Sequence, residues 1–293
     1  MINVHRHHQE REIPDFLDLI VSMDGWIDSG YSAATSAKAL LDNATSETIY
    51  SFDVGDLLDN RTRRPRVKIV NGLITSLSWV QPVIKLCRDR NSKQVLLLTG
   101  PEPDLRWKDF ALEILEIVKR HKVRYIIGLG AFPFTWPHTR PIKIIATGSD
   151  MDLVDKIGYL GGEIDAPASV VDVIGKFCQD SGTEAKFVNL WAQVPHYVAN
   201  MYYPQAALAL LDTLIQLCGL EINLDPLRQE ALDLSAQLDN LISASDEHFD
   251  MVRNLEEQVD LGSGTRNWNY EDIPSGDEIA AELERYLRGE NNI

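Results

Sequence analysis

Through its first two-thirds the chain repeats one pattern: a short apolar run, a turn, then a longer stretch with apolar residues at helical spacing. Phe16–Met23, Thr48–Val54, Gln94–Thr99, Arg124–Gly130 and Ile142–Ala146 read as strands. Runs of that length, rich in Val, Ile and Leu and bounded by turn residues, suit buried strands. Helical patterns fall at about 31–43, 105–122, 151–160, 168–180 and 205–218, with a further strand near 185–191. Asp104 is placed to cap the second of these helices. Strands alternating with helices restrict the chain to an α/β fold: a largely parallel sheet covered on both faces. Val67–Val70 and Ile74–Val80 flank Asn71-Gly72, the dipeptide a type I′ turn prefers, and read as a hairpin that makes the sheet mixed. In open sheets of this kind, ligands gather at the carboxyl ends of the strands. The loops after Met23, Thr99 and Gly130 are such places.

Beyond Gly219 the pattern changes. Leu227, Ala231, Leu234, Leu238, Leu241, Phe249, Val252, Leu255 and Val259 recur every three or four residues, broken at Ser243–Asp246, which also matches a helix start. This predicts an amphipathic helix pair or one kinked helix, then a linker from Leu261 and a last short helix over 275–287. The organisation expected is an α/β core over 1–220 and an acidic helical region over 221–293, packed on the core or on a neighbouring subunit. Charge follows the same division. The net charge is −16, and residues 219–293 alone hold 18 acidic against 5 basic residues. That balance argues against nucleic acid as a partner, because phosphate binding needs the opposite sign.

A hydrophobic fraction of 44% allows a full core. No apolar run reaches the roughly 18 residues of a membrane-spanning helix, and Met1–His8 lacks the apolar segment of a signal peptide. A cytoplasmic protein is expected. Cys87, Cys178 and Cys218 are scattered, without C-x-x-C, which fits reduced buried thiols rather than a metal or disulfide role. No cofactor and no metal are implied.

Chemistry has few footholds. Asp24-Gly-Trp-Ile-Asp28-Ser-Gly30 joins a strand to a helix, but it is no phosphate loop: it has no lysine, and two carboxylates would repel phosphate. Asp28 reads as a helix cap, or with Asp24 as a paired-carboxylate site. Arg61-Thr-Arg-Arg-Pro-Arg-Val-Lys68 is the densest basic run. It suits clamping an anion, pairing with Asp53, Asp56 and Asp59, or meeting the acidic C-terminal region of a neighbour. His138 and Arg140 share a loop stiffened by Pro137 and Pro141, and His196 lies in a second Pro-His-Tyr element. Asp24, Asp28, Arg61, His138, Arg140 and His196 are therefore the candidate ligand-binding residues. Neither G-x-S-x-G nor H-E-x-x-H occurs, and no nucleophile has an evident base, so catalytic residues stay unassigned.

Several segments together resemble one family. Met23–Gly30, Phe52–Val54 with Arg61–Pro65, Leu97–Trp107, Pro137–Pro141 and Val194–Tyr197 occur in order, with the tail Pro274–Tyr286. They are similar to proteins of the proteasome assembly chaperone 2 family, in particular its bacterial branch. The resemblance implies a three-layer α/β/α domain of phosphorylase and hydrolase type. It also implies self-association, with a trimer as the expected state, and a protein client. Relatives from archaea and eukaryotes can end in a hydrophobic residue, Tyr and one more residue, which docks into proteasome pockets. Asn291-Asn292-Ile293 departs from that pattern. Two functional classes follow: a protein-interaction or assembly protein acting through its surfaces, which is the reading adopted, or an enzyme or small-ligand binder using the loops named above.

Overall fold

The computed structural model describes residues 2–6, 13–25 and 27–261. The expected linker and short helix beyond Leu261 lie outside the described residues. An eight-stranded mixed sheet forms the middle layer. Its parallel centre contains β2 (Leu19–Asp24), β7 (Gln94–Pro101), β8 (Tyr125–Phe134) and β10 (Lys186–Pro195), side by side in the order β7-β2-β8-β10. Antiparallel strands finish both sides. On the β7 side these are β6 (Val83–Arg88), β3 (Thr45–Phe52) and β1 (Val4–Arg6); on the β10 side, β9 (Ile144–Gly148). The central strands carry nearly continuous apolar runs, with Leu19, Ile20, Val21 and Val95–Leu98 all at 0% exposure. Strands buried on both faces read this way because neither face meets water.

Helices divide between the two faces, with the one-turn α2 (Val54–Leu57) following β3. α3 (Trp107–Arg120) and α5 (Val170–Asp180) bury Phe110, Ile114, Val170 and Ile174 with Leu19, Val21, Leu96 and Leu98. α1 (Ser32–Asn43), α4 (Met151–Ile157) and α6 (Pro204–Cys218) cover the other face, where Leu40, Val154, Leu210 and Leu214 join Ile20, Leu97, Ile127 and Val188. Outside α6 lie α7 (Asp225–Ser243) and α8 (Asp246–Asp260). The C-terminal apolar stripe is thus mostly covered within the chain: Leu227, Leu234, Leu238 and Leu241 join the α6 core, and Val252 and Leu255 follow, while Phe249 stays exposed. Ser245 caps α8, its hydroxyl accepting from the His248 N–H. Among the described residues no helix is long and apolar enough to cross a membrane.

Two local expectations are corrected. The hairpin exists, as β4 (Arg66–Val70) and β5 (Leu73–Ser78), and turns through Asn71 and Gly72, both at positive φ. It stays a separate two-stranded sheet. The sheet is mixed instead through β6, β3, β1 and β9, and β6, with its alternating Val83-Ile-Lys-Leu-Cys-Arg, was hidden among charged residues. Asp104 does not cap α3. Arg106 occupies that position in the left-handed region, and the Asp104 carboxylate accepts instead from the Asp59 N–H at 2.8 Å. The three cysteines are buried and free. Burial pushes the Cys87 and Cys178 thiols up to about 11, which keeps them protonated and unreactive at neutral pH.

Candidate functional site

The candidate residues fall into two groups and one outlier. The first group sits where β2 and β7 end. Asp24 closes β2, and its carbonyl accepts from the Glu102 N–H at 2.7 Å. Glu102 is buried, with Oε1 accepting from the Val170 N–H at 2.6 Å, so a carboxylate meets the positive end of α5. Arg63 donates to the Glu102 carbonyl and reaches Asp104 at 3.7 Å. Its guanidinium lies against Gly25, which sits at φ +127°, a backbone conformation that strains any residue with a Cβ. Desolvation raises the pKa of Asp24 and of Glu102, and Arg63 opposes both shifts. Asp28 faces α1 instead: its two oxygens accept from the N–H groups of Ala33 at 2.7 Å and Ala34 at 3.0 Å. Burial raises its pKa, and those bonds offset part of the rise. This is a helix cap supplied from outside the first turn, because Tyr31 occupies the capping position in the left-handed region.

The second group gathers around Tyr197, just beyond β10. Its hydroxyl accepts from the His138 backbone N–H and lies 2.7 Å from His138 Nδ1. Having accepted from the backbone, the hydroxyl has its own proton to give to Nδ1. The His138 proton then sits on Nε2, which donates to Asp239 of α7 at 3.2 Å. His196 packs edge-on against the same tyrosine, with ring centroids 5.3 Å apart, and its Nδ1 is buried without a partner. Burial lowers both imidazole pKa values, so both rings are neutral at pH 7. Tyr197 is fully buried and its pKa is pushed far up, which removes it as a nucleophile. The Tyr–His–Asp chain therefore positions a loop rather than activating an attacking group.

Arg140 extends this clasp. Its guanidinium takes both Asp260 oxygens, at 3.1 and 2.7 Å, and Glu256 at 3.0 Å. Thr139 donates to the same Glu256 oxygen. Three consecutive residues, His138, Thr139 and Arg140, are thus held by the acidic face of α7 and α8. The outlier is Arg61. Its side chain is 90% exposed and, among the described residues, bonds to Asp59, while Arg63, two residues on, does the bridging. Among the described residues no three His, Cys, Asp or Glu side chains converge in a way that would hold a metal ion.

Sequence reading missed Tyr197, Arg63, Glu102, Asp239, Glu256 and Asp260. Tyr197 had a signal, since it follows His196 directly. The acidic partners had none, because their charges look like any solvated helix face.

Comparison with known proteins gives this geometry a context. The model of the PAC2 family matches residues 22–242. A protein of unknown function from Corynebacterium glutamicum is 32% identical, covering 88% of this chain and 96% of its own, with a TM-score of 0.81. A second protein of unknown function, from Mycobacterium tuberculosis, is 27% identical over 96% of each chain, with a TM-score of 0.80. A proteasome-assembly chaperone homologue, also from Mycobacterium tuberculosis, is 26% identical over 80% of this chain and all of its own, with a TM-score of 0.73. No curated protein matches the chain.

Proposed function

This chain belongs to the PAC2 family, and from that premise we propose that it is a self-associating protein of the assembly-chaperone kind, acting through its surfaces on a protein client. The observation that carries this reading is the β4–β5 hairpin. Val67, Ile69, Val70, Leu73, Ile74 and Leu77 of the hairpin, with Trp79 and Val80 just after it, are between 44% and 73% exposed. The pairing Val67↔Leu77 and Ile69↔Ile74 places four of them on one face, while Arg66, Lys68, Ser76 and Ser78 take the other, joined next to the turn by the Val70↔Leu73 pair. An isolated two-stranded ribbon is marginal in water, and a contiguous apolar face of this kind marks an interaction site. A second copy of the chain is the occupant proposed. The hairpin's polar face is basic and the chain is strongly acidic, so a second copy complements it in charge as well. Three copies is the state implied by the family resemblance.

The likeness to a proteasome-assembly chaperone homologue supports the assembly role. In this reading residues 1–220 form the assembling core, the region from 221 serves as an arm on that core, and the protein works in the cytoplasm. Light scattering at micromolar concentration tests it. The wild-type chain is expected to give a multiple of 33.0 kDa, and Ile74→Glu/Leu77→Glu to give the single-chain mass with an unchanged circular dichroism spectrum. A wild-type mass of one chain sinks the proposal.

A further inference from the structure

Over β10 the helix cover of the sheet stops where α5 begins. Alternate side chains of a strand share a face. Phe187 lies against Gly175 of α5, and Asn189 donates to Asp172 in the first turn of that helix at 3.3 Å. Trp191 is the next residue on this face and so lies past the helix start, which Ser169 caps. Its indole lies over Gly130 of β8, and its Nε1 donates to Thr147 of β9 at 3.2 Å. Here Phe132, Phe134, Trp136 and Ile145 form a small apolar cluster separate from the two main ones. Its cover is thin. Ile27, Leu160 and Trp191 pack on it but are only half-buried. Tyr159 and Ile164, near Leu160 in the chain, are 50% and 48% exposed.

The C-terminal arm ends at this cluster. Val259, in the last turn of α8, packs on it, and Arg140 holds the adjacent Asp260. The chain thus leaves α8 beside the patch, at Leu261, which is 82% exposed. Residues 262–293 follow, outside the described residues. Ile279, Leu283, Tyr286 and Leu287 recur there at helical spacing, with Asp277, Glu278, Glu282 and Glu284 at other positions. Ser275 and Glu278 match a capping box. A helix of this length is marginal alone in water, so the apolar stripe needs a surface. Only residues 262–274 separate the segment from Leu261. At up to about 3.6 Å per residue they bridge tens of ångströms, and a tether of that kind gives an effective concentration on the order of millimolar. No untethered occupant has that advantage.

We propose that this patch at the carboxyl edge of the sheet is the docking site of the chain's own segment 275–287. Ligands gather at that edge in sheets of this class, so the docked segment takes the place a small molecule would occupy. The inference is independent of the assembly reading, since neither the patch nor the segment contains a hairpin residue.

Amide hydrogen exchange on the full-length chain tests it. Residues 279–287 should exchange about tenfold more slowly in the wild type than in Leu283→Glu/Leu287→Glu. The same substitution should speed exchange in the loop around Leu160 while α6 keeps its protection. Leu160→Glu, made on the patch side, should release the segment to the same extent, again with α6 unchanged. The single-chain hairpin variant Ile74→Glu/Leu77→Glu should keep the segment protected, which separates failure of this docking from failure of assembly. Unprotected 279–287 in the wild type overturns the proposal. So does a loop around Leu160 that ignores Leu283→Glu/Leu287→Glu, which would place the segment elsewhere. Protection lost in the hairpin variant would assign the segment to a second copy and overturn docking within one chain.

Discussion

The hairpin and the C-terminal arm both leave the three-layer core, and their apolar residues meet opposite fates. Both are amphipathic, one with the two-residue period of a strand and one with the helical period. The arm lays Leu227, Leu234, Leu238 and Leu241 against α6 and turns its carboxylates onto the 138–140 loop. The hairpin's apolar face stays open among the described residues. Periodicity reports that a face is apolar but not which surface covers it. The C-terminal stripe was open to the core or to a neighbouring subunit and is taken by the core, so the proposal of association rests on the hairpin.

The sharpest way to break this contrast is to remove matched leucines. Leu238 is fully buried, and Leu238→Ala should cost about 2–5 kcal/mol through lost transfer energy and a residual cavity, read as a fall in melting temperature with the assembled mass unchanged. Leu77→Ala should leave the melt within about 0.5 kcal/mol of wild type and weaken assembly instead. Equal losses of thermal stability from the two substitutions would erase the distinction.

Acid separates the regions by a second route. His121, His138 and His196 are buried, with pKa values depressed by desolvation. The unfolded chain therefore takes up these protons first, near the ordinary imidazole value of about 6.5. Their contribution is complete above that pH, declines as pH falls through it, and levels off below the depressed folded-state values. Asp24, Asp28 and Glu102, whose carboxyl pKa values are raised, act in the opposite sense: the folded chain protonates first, so they regain stability as pH drops toward about 4. Melts between pH 7 and pH 5 should show a loss that His138→Gln reduces. The hairpin has no histidine, so assembly through it should survive that range. Dissociation parallel to the loss of thermal stability would place a titrating group at the interface.

A smaller effect is expected at the hairpin tip. Gly72 sits at φ +83° with open space around it, so Gly72→Ala meets no neighbour and costs only the left-handed backbone, about 1 kcal/mol. Confined to a ribbon outside the core, that cost should appear as weaker assembly at equal melting temperature. A lowered melt with unchanged mass would mean the hairpin packs on its own core.

How much of this was legible varies with where the information resides. The strands β2, β7 and β8 and the helices α1, α5 and α6 stand out because one segment decides each: an apolar run, or a helical period beside a cap such as Ser169. β1 and β6 were hidden because edge and alternating strands carry half the apolar signal of central ones. At the candidate site, His138, Arg140 and His196 were visible as residue types on constrained loops. Their partners were not. Asp239 lies 101 residues from His138, and Asp260 lies 120 from Arg140, separations that no local pattern encodes. The basic run drew attention to Arg61, yet the bridging falls to Arg63, because only Arg63 comes up against Gly25 and Glu102.

The weakest expected effect is the most specific to the arm. Arg140 is partly exposed and holds α8 through two carboxylates, Glu256 and Asp260. Pairs open to water are screened by salt and contribute little individually. Arg140→Ala should therefore lower the melting temperature less than Leu238→Ala, and the difference from wild type should shrink as salt rises from 0.05 to 0.5 M. Its local consequence should exceed its global one: α8 buries only Val252 and Leu255, so losing the clasp should speed amide hydrogen exchange in Asp246–Asp260 while α6 stays protected. Exchange that rises equally in α6 would make Arg140 part of the core's stability. Exchange unchanged in α8 would show that Val252, Leu255 and the Ser245 cap hold the helix without the clasp. The assembled mass of Arg140→Ala should match the wild type at every salt concentration, because the clasp closes within one chain. A mass that falls with the substitution would move the arm from the covered side of the comparison to the side where the hairpin stands.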